Sequence, residues 1–464
     1  MTQMLTDTGN MLKDRRFLGK AVTIAFPVAM QGMLNTIVNL VDTMMIGTLG
    51  ETSIAAVGLA NKVFFVFSLL VFGIVSGSGV LAAQYWGNHD VKNIRKVLGL
   101  ALMISIAGSL CFLIPAQLCP EAVMRIFTTS QSSITVGAAY LAVVSLSYPC
   151  TAISNTYVAM LRAVGKVKAP VVISCITIGI NILFNYIFGH FGAPAMGAPG
   201  AALATLIARI AECGALLAVT FISRSPLACR IKELWGYSSA FLRQFAVTTG
   251  PVIANEFMWG LGTTMYSLAY GRMGDNAVAA ITIATTIQDI VVVLFQGLSA
   301  AAAVILGHEM GGGNLKRAEK YAKYFLILQF LVTLAAMGIC FGIRGTVIGM
   351  YSISPEVADH VRRCLNVFIL YMPAKMFNYV NIVGVLRSGG DTRVCLFIDT
   401  SGVWMIGIPM AFLGGLFLKQ PIYVVYAMVM FEEVYKAVIG YARYRQKKWL
   451  RNLNMELQMH QGEA

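Results

Sequence analysis

Charge is what this chain of 464 residues has little of: Asp, Glu, Lys and Arg make up 12% of it, about half the share found in a soluble domain. With 57% hydrophobic residues and a mean hydropathy of +0.72, a water-soluble globule is excluded and an integral membrane protein implied. Histidine occurs five times, and His308-Glu309 is followed by Gly312 where a zinc hydrolase helix would carry its second His. The nine cysteines include no Cys-x-x-Cys spacing and fall mostly in or beside apolar runs. They read as small buried hydrophobes rather than a metal site or a disulfide framework. No nucleophile-base pair or metal constellation stands out, so neither an enzyme nor a cofactor carrier is expected.

What abounds is long apolar runs. Runs of the about 20 residues needed to cross a bilayer fall near 22–47, 54–83, 97–118, 136–161, 168–190, 198–222, 245–270, 277–307, 321–343, 361–386, 394–417 and 421–441. Twelve spans follow, six in each half. The net charge of +14 would suggest nucleic acid in a soluble protein, but its placement points to a membrane instead. With a cytoplasmic amino terminus, 25 of the 35 Lys and Arg fall in inside segments and only Arg125, Arg272, Arg344, Arg362, Arg363 and Lys419 in outside loops. A missed span early in the chain would scramble that positive-inside pattern. Lys13, Arg15, Arg16 and Lys20 precede a run long enough to be retained, so no cleavable signal peptide is expected. The expected place is the inner (plasma) membrane, multi-pass, with both termini cytoplasmic.

The halves are copies. Shifted by 224 residues, Pro27-Val28 falls on Pro251-Val252, Gly47 on Gly271, Gly73 on Gly297, Val80 on Val304, Gly87 on Gly311 and Lys96 on Lys320. Glycine and proline mark bends and close contacts that few other residues supply, so agreement at one fixed offset signals a duplicated unit. An even number of spans per repeat starts both halves on the same side, with the pseudo-two-fold axis along the membrane normal. The expected organisation is a first lobe over 1–222, a cytoplasmic linker serving as hinge or tether over 223–244, a second lobe over 245–442 and a basic tail over 443–464. The tail, with Arg443, Lys447, Lys448, Trp449 and Arg451, is either an interfacial helix on anionic headgroups or a plain solvated end.

An acid at bilayer depth costs about 2.5–3.5 kcal/mol on insertion scales, so each charge inside a span is a functional candidate. Asp42 stands near the end of span 1, with access to interfacial water as the bland alternative. Glu256 sits in span 7, and its repeat partner is Gly32, so the halves are chemically unequal. A carboxyl in low dielectric can exchange a proton for a cation, the physical core of an antiporter; local hydrogen bonding in a broken helix is the alternative. Arg209 and Glu212 in span 6, and Glu433 and Lys436 in span 12, are spaced three apart with their signs exchanged by the repeat, which suits neutralisation within one helix. Asp289, Asp399, Lys62 and Lys375 have no partner visible in the sequence and, with Asn378 beside the last, are candidates to line a cavity. Asn181 and Asn185 share a face of span 5, able either to coordinate a cation or to hold helices together, and Thr205 follows the small-residue run that starts at Gly200.

Several segments together resemble the multidrug and toxic compound extrusion (MATE) family over essentially the whole chain, its NorM-like branch more than its DinF-like one. They are Val41-Asp42-Thr43 with Ile46-Gly47, Asn181-Ile-Leu-Phe-Asn185-Tyr-Ile-Phe, Gly200-Ala-Ala-Leu-Ala-Thr205, and the paired loops Met160-Leu-Arg162-Ala-Val-Gly165 and Val385-Leu-Arg387-Ser-Gly-Gly390. The resemblance implies an all-α membrane protein of twelve transmembrane helices in two pseudo-symmetric six-helix lobes that open alternately to the cytoplasm and the outside. It also implies export of organic, mostly cationic compounds in exchange for Na+ or H+. Asp42 matches the family's first-lobe acid, Asn181, Asn185 and Thr205 match its neighbours in a proposed Na+ site, and Glu256 matches the span 7 acid of the NorM-like branch. Asn185 replaces the span 5 acid of DinF-like members, which weakens a relay between two carboxylates. Lys375 stands in the stretch where NorM-like members carry a span 10 acid, so the coupling ion stays open.

Two readings follow. The first is a monomeric, cation-coupled multidrug antiporter in the lipid bilayer, in which Asp42 and Glu256 exchange small organic cations for ions. The second is an exporter or flippase of a lipid-linked or peptide-like metabolite on the same fold. For anionic lipids it should line the cavity with several Arg or Lys, whereas the spans offer mainly Lys62 and Lys375. A duplicated twelve-span chain with no sizeable soluble domain speaks against a receptor.

Overall fold

The computed structural model describes the backbone of residues 2–47, 51–188, 196–351 and 353–462, and their side chains except at 2–5, 38–47, 51–52, 457 and 459–462. All regular structure among the described residues is helical, and twelve helices of spanning length follow one another. They are α1 Arg15–Gly47, α2 Glu51–Gly87, α3 Val91–Leu118, α4 Gln131–Ala163, α5 Lys168–Tyr186, α6 Gly197–Ile222, α7 Ser239–Gly271, α8 Asp275–Gly311, α9 Leu315–Gly349, α10 Pro355–Leu386, α11 Thr392–Phe417 and α12 Ile422–Arg445. Ten also carry an uninterrupted apolar stretch of spanning length; α7, with Pro251, Asn255 and Glu256, and α12, with Glu432, Glu433 and Lys436, are too polar. Exposed Ile114, Ile176, Leu370, Met405 and Val438 show the outer helix surfaces to be apolar, as lipid requires and water does not.

Local chemistry sets several helix ends. Asp90 accepts the Asn93 backbone N–H at 3.0 Å before α3, and Ser354, followed by Pro355, caps α10 by accepting from Val357 at 3.4 Å. The helices run one or two turns past the apolar limits expected from sequence: α1 begins at Arg15 rather than 22 and α9 at Leu315 rather than 321. Basic residues on those turns, Arg15, Arg16, Lys316 and Arg317, keep their heads in water while their stems continue the helix.

The chain divides into two compact units, Met1–Ala29 with Ala254–Ala464, and Met30–Ile253. The division falls inside α1 and α7, just after Pro27 and just after Pro251, and not at the expected linker. Glycine contacts give the reason. In the Met30–Ile253 unit a Cβ at Gly73 of α2 would sit 2.7 Å from the Cα of Ile253, and one at Gly77 equally close to Thr249. In the other unit Gly297 of α8 meets the backbone of Ala25 and Ala29 of α1. Gly73 with Gly297, and Ala29 with Ile253, are repeat partners. The same close packing is therefore made twice, each time between the second helix of one repeat and the leading half-helix of the other.

The water-facing segments are packed against the helices. The linker is no free tether: Arg95 of α3 donates to Glu233 at 2.6 Å and to the Pro226 carbonyl at 3.0 Å, Leu227 is fully buried, and α7 already starts at Ser239. The tail is anchored to the protein by one aromatic side chain, while Lys447, Lys448 and Arg451 stay exposed. Trp449 is fully buried, stacks on Tyr444 at 6.0 Å and presses its carbonyl against Gly389, while Asn452 donates to the Gly311 carbonyl at 3.3 Å. Burying the large apolar indole favours this docking. At the other terminus Phe17 is buried against the rings of Tyr321, Tyr324 and Phe325 at 4.9–5.3 Å. Cys213, Cys340, Cys364 and Cys395 are buried as expected, whereas Cys111, Cys119 and Cys175 are exposed.

Candidate functional site

In the unit Met30–Ile253 the spacing of α5 brings two amides onto one face, and the small residues that open α6 let the two helices approach. Asn185 Nδ2 donates to Asn181 Oδ1 at 3.2 Å, Asn181 Nδ2 donates to Thr205 Oγ1 at 3.4 Å, and Thr205 Oγ1 donates to the Ala201 carbonyl at 3.1 Å. Both amides are buried. Three of the four residues expected around a first-lobe ion are thus joined in one chain of amide and hydroxyl oxygens, the ligand type hard cations take. The fourth, Asp42, has its backbone in α1 and its side chain outside the described residues.

A second polar group lies farther along the same two helices. Arg209 and Glu212 pair at 2.8 Å, as their spacing predicts. The other Glu212 oxygen accepts from Ser174 at 3.3 Å, whose hydroxyl accepts from Gln31 at 3.0 Å. Neutralised and saturated in this way, the pair serves structure.

The unit Met1–Ala29 with Ala254–Ala464 holds the remaining candidates. Glu256 does not stand alone: Arg387 donates to its Oε1 at 3.1 Å and reaches Asp399 at 3.9 Å. Asp399 also accepts from Asn255 Nδ2 at 3.1 Å. Arg387, counted among the loop cations from sequence, is only 2% exposed. It follows the widened π-helical turns Tyr379–Leu386 that end α10, and such turns recur at functional sites.

On α12 the expected pairing of Glu433 with Lys436 is replaced by two others. Lys436 bonds Glu432 at 3.4 Å, one residue earlier, and Glu432 accepts from Tyr266 at 2.6 Å. Glu433 bonds Lys375 of α10 at 3.1 Å and accepts from Asn378 Nδ2 at 2.9 Å. The i,i+4 order of Glu before Lys aligns two side chains on a helix better than i,i+3 does here, and it frees Glu433 to face α10. Gly402 and Gly407 of α11 make room for this cluster, since a Cβ at either would meet the Lys436 stem or Tyr266 and Glu432. Glu432 and Tyr266 were not among the sequence candidates; the Glu-x-x-x-Lys spacing was the available signal. Asp289 and Lys62 are exposed.

The MatE family pattern matches residues 27–187 and 251–413. The chain belongs to the MatE family. Its two matched segments begin at the repeat partners Pro27 and Pro251, so the family pattern and the internal duplication share one register. Among similar proteins, the probable multidrug resistance protein NorM of Synechocystis is 28% identical over 436 residues, covering 90% of this chain and 91% of that one. The multidrug resistance protein PmpM of Pseudomonas aeruginosa is 25% identical, covering 87% and 85%, and the uncharacterized transporter YisQ of Bacillus subtilis is 23% identical, covering 92% and 94%. Of solved structures, MATE in complex with MaL6 superposes with a TM-score of 0.85 at 19% identity over 92% of this chain and 95% of that one. The outward-facing conformation of a multidrug resistance MATE family transporter gives 0.84 at 19% over the same shares. The fold is thus the MatE fold: all-α, multi-pass in a membrane, with twelve transmembrane helices in two lobes.

Proposed function

We propose that this MatE protein is a cation-coupled multidrug efflux antiporter, exporting small, mostly cationic organic compounds in exchange for Na+ or H+ by alternating access. It is a transporter and not an enzyme, works as a monomer in the inner (plasma) membrane, and keeps both termini cytoplasmic. The observation that carries the reading is the family match over both halves of the chain, with PmpM and NorM, named multidrug resistance proteins, among the relatives. Glu256 buried in α7 and Glu432, Glu433 and Lys436 buried in α12 support it, because ionisable groups buried in a membrane mark ion or substrate pathways.

Asp42 with Asn181, Asn185 and Thr205 is the proposed ion site of the first lobe, and Glu256 the exchanging acid of the second. Lys375, on which export of an anionic lipid would lean, is already held by Glu433. The test is resistance to toxic organic cations in cells carrying Asp42→Asn or Glu256→Gln, with membrane insertion checked in parallel. Loss of resistance at normal insertion is expected; undiminished export by both variants sinks the assignment.

A further inference from the structure

Lys375 and Asn378 stand three apart on one face of α10, opposite Glu433 of α12. The Lys375 ammonium lies 3.1 Å from Glu433 Oε1, and Asn378 Nδ2 donates to Glu433 Oε2 at 2.9 Å and to the Glu433 backbone carbonyl at 2.7 Å. Asn378 is buried, yet its Oδ1 has no hydrogen-bond partner. A buried amide oxygen without a donor is unusual and asks for an explanation. Here it sits on the same amide that bonds the carboxylate, and the one ammonium at this point reaches the carboxylate and not the amide oxygen. Oxygen ligands of this kind are what hard cations bind. Of the neighbouring charges, Lys436 and Glu432 are bonded to each other.

We propose that Lys375 is a built-in cation: its ammonium occupies the cation position at the Glu433 carboxylate, beside the amide of Asn378, a position that takes Na+ once the ammonium is removed. The second lobe then needs no dissociable ion at Glu433, and ion coupling is left to the other carboxyl groups. This rests on the reading of the chain as an ion-coupled transporter, but its test reads ion binding and not transport. A cation tethered to the chain cannot be exchanged for substrate without moving α10, whereas Na+ can. Lys375 therefore removes Glu433 from the carboxyl groups that can carry the exchangeable ion.

The experiment is thermal unfolding of the purified full-length protein in detergent, in NaCl against choline chloride at equal ionic strength. Lys375→Met is expected to gain a saturable, Na+-specific rise in Tm of about 2–4 °C, which Lys375→Met combined with Glu433→Gln lacks. In the native protein any Na+ response should be unchanged by Glu433→Gln. If Lys375→Met does not accumulate, Lys375→Gln, which keeps a donor for Glu433, is read in the same way. A folded Lys375→Met or Lys375→Gln protein without a Na+-specific gain overturns the proposal, as does a native Na+ response that Glu433→Gln abolishes. Failure of drug transport alone would count against the antiporter reading and leave these unfolding results intact.

Discussion

Arg387→Met removes the one cation held between two carboxylates. The guanidinium is 2% exposed, lies 3.1 Å from Glu256 and 3.9 Å from Asp399, and neither acid bonds another cation among the described residues. Removing one partner of a buried pair typically costs about 3–5 kcal/mol, because the remaining charge is left uncompensated. At about 1 °C per kcal/mol for a chain of 464 residues, the expected fall in Tm is about 3–5 °C. The decisive comparison is the triple variant Arg387→Met, Glu256→Gln, Asp399→Asn, which has no charge left to strand and should regain most of the loss. Thermal unfolding in detergent, followed by size-exclusion chromatography of a fluorescent fusion, measures both. An Arg387→Met protein within about 2 °C of the native Tm, or a triple variant no more stable than the single, would refute the reasoning that these three residues form one electrostatic unit.

Other expectations are as direct. Gly297→Val should lower stability and transport together, because its Cβ meets the backbone of Ala25, whereas Gly342→Ala, with open space around it, should change neither. Trp449→Ala removes a fully buried indole and should cost about 3–5 kcal/mol, read as a lower Tm; a tail that mattered only at the membrane surface would leave detergent Tm unchanged. Tyr266→Phe deletes a 2.6 Å bond to the Glu432 carboxylate and should cost about 1.5–3 kcal/mol, a loss that Glu432→Gln should largely mask in a double-mutant cycle.

The spanning helices and the duplication were legible because they depend on features a sequence carries openly. Apolar run length fixes a span, and the offset that joins Pro27 to Pro251 and Gly73 to Gly297 marks the repeat. What those glycines touch was not legible. Nothing in the text of the chain says that Gly73 packs on Ile253 across nearly the whole first repeat, so the compact units divide within α1 and α7 instead of at 223–244. The Asn181, Asn185 and Thr205 group was half visible, since i,i+4 spacing gives a shared face on α5 but not its meeting with α6. Arg387 was hidden by its position next to Gly389 and Gly390, where loops are expected; its burial follows from Glu256 and Asp399, which lie more than 100 residues earlier and 12 residues later. Glu432 was overlooked beside Glu433 because one intrahelical partner seemed enough for both Glu433 and Lys436. Trp449 read as an interfacial aromatic because a basic neighbourhood in sequence does not disclose a tertiary socket.

The most direct test of the central claim is efflux of a fluorescent organic cation from vesicles containing the purified protein, driven in turn by an imposed Na+ gradient and an imposed H+ gradient. Transport under one of the two gradients, lost in Asp42→Asn or Glu256→Gln while the variants remain folded and inserted, is the expected result. No transport of organic cations under either gradient would contradict it.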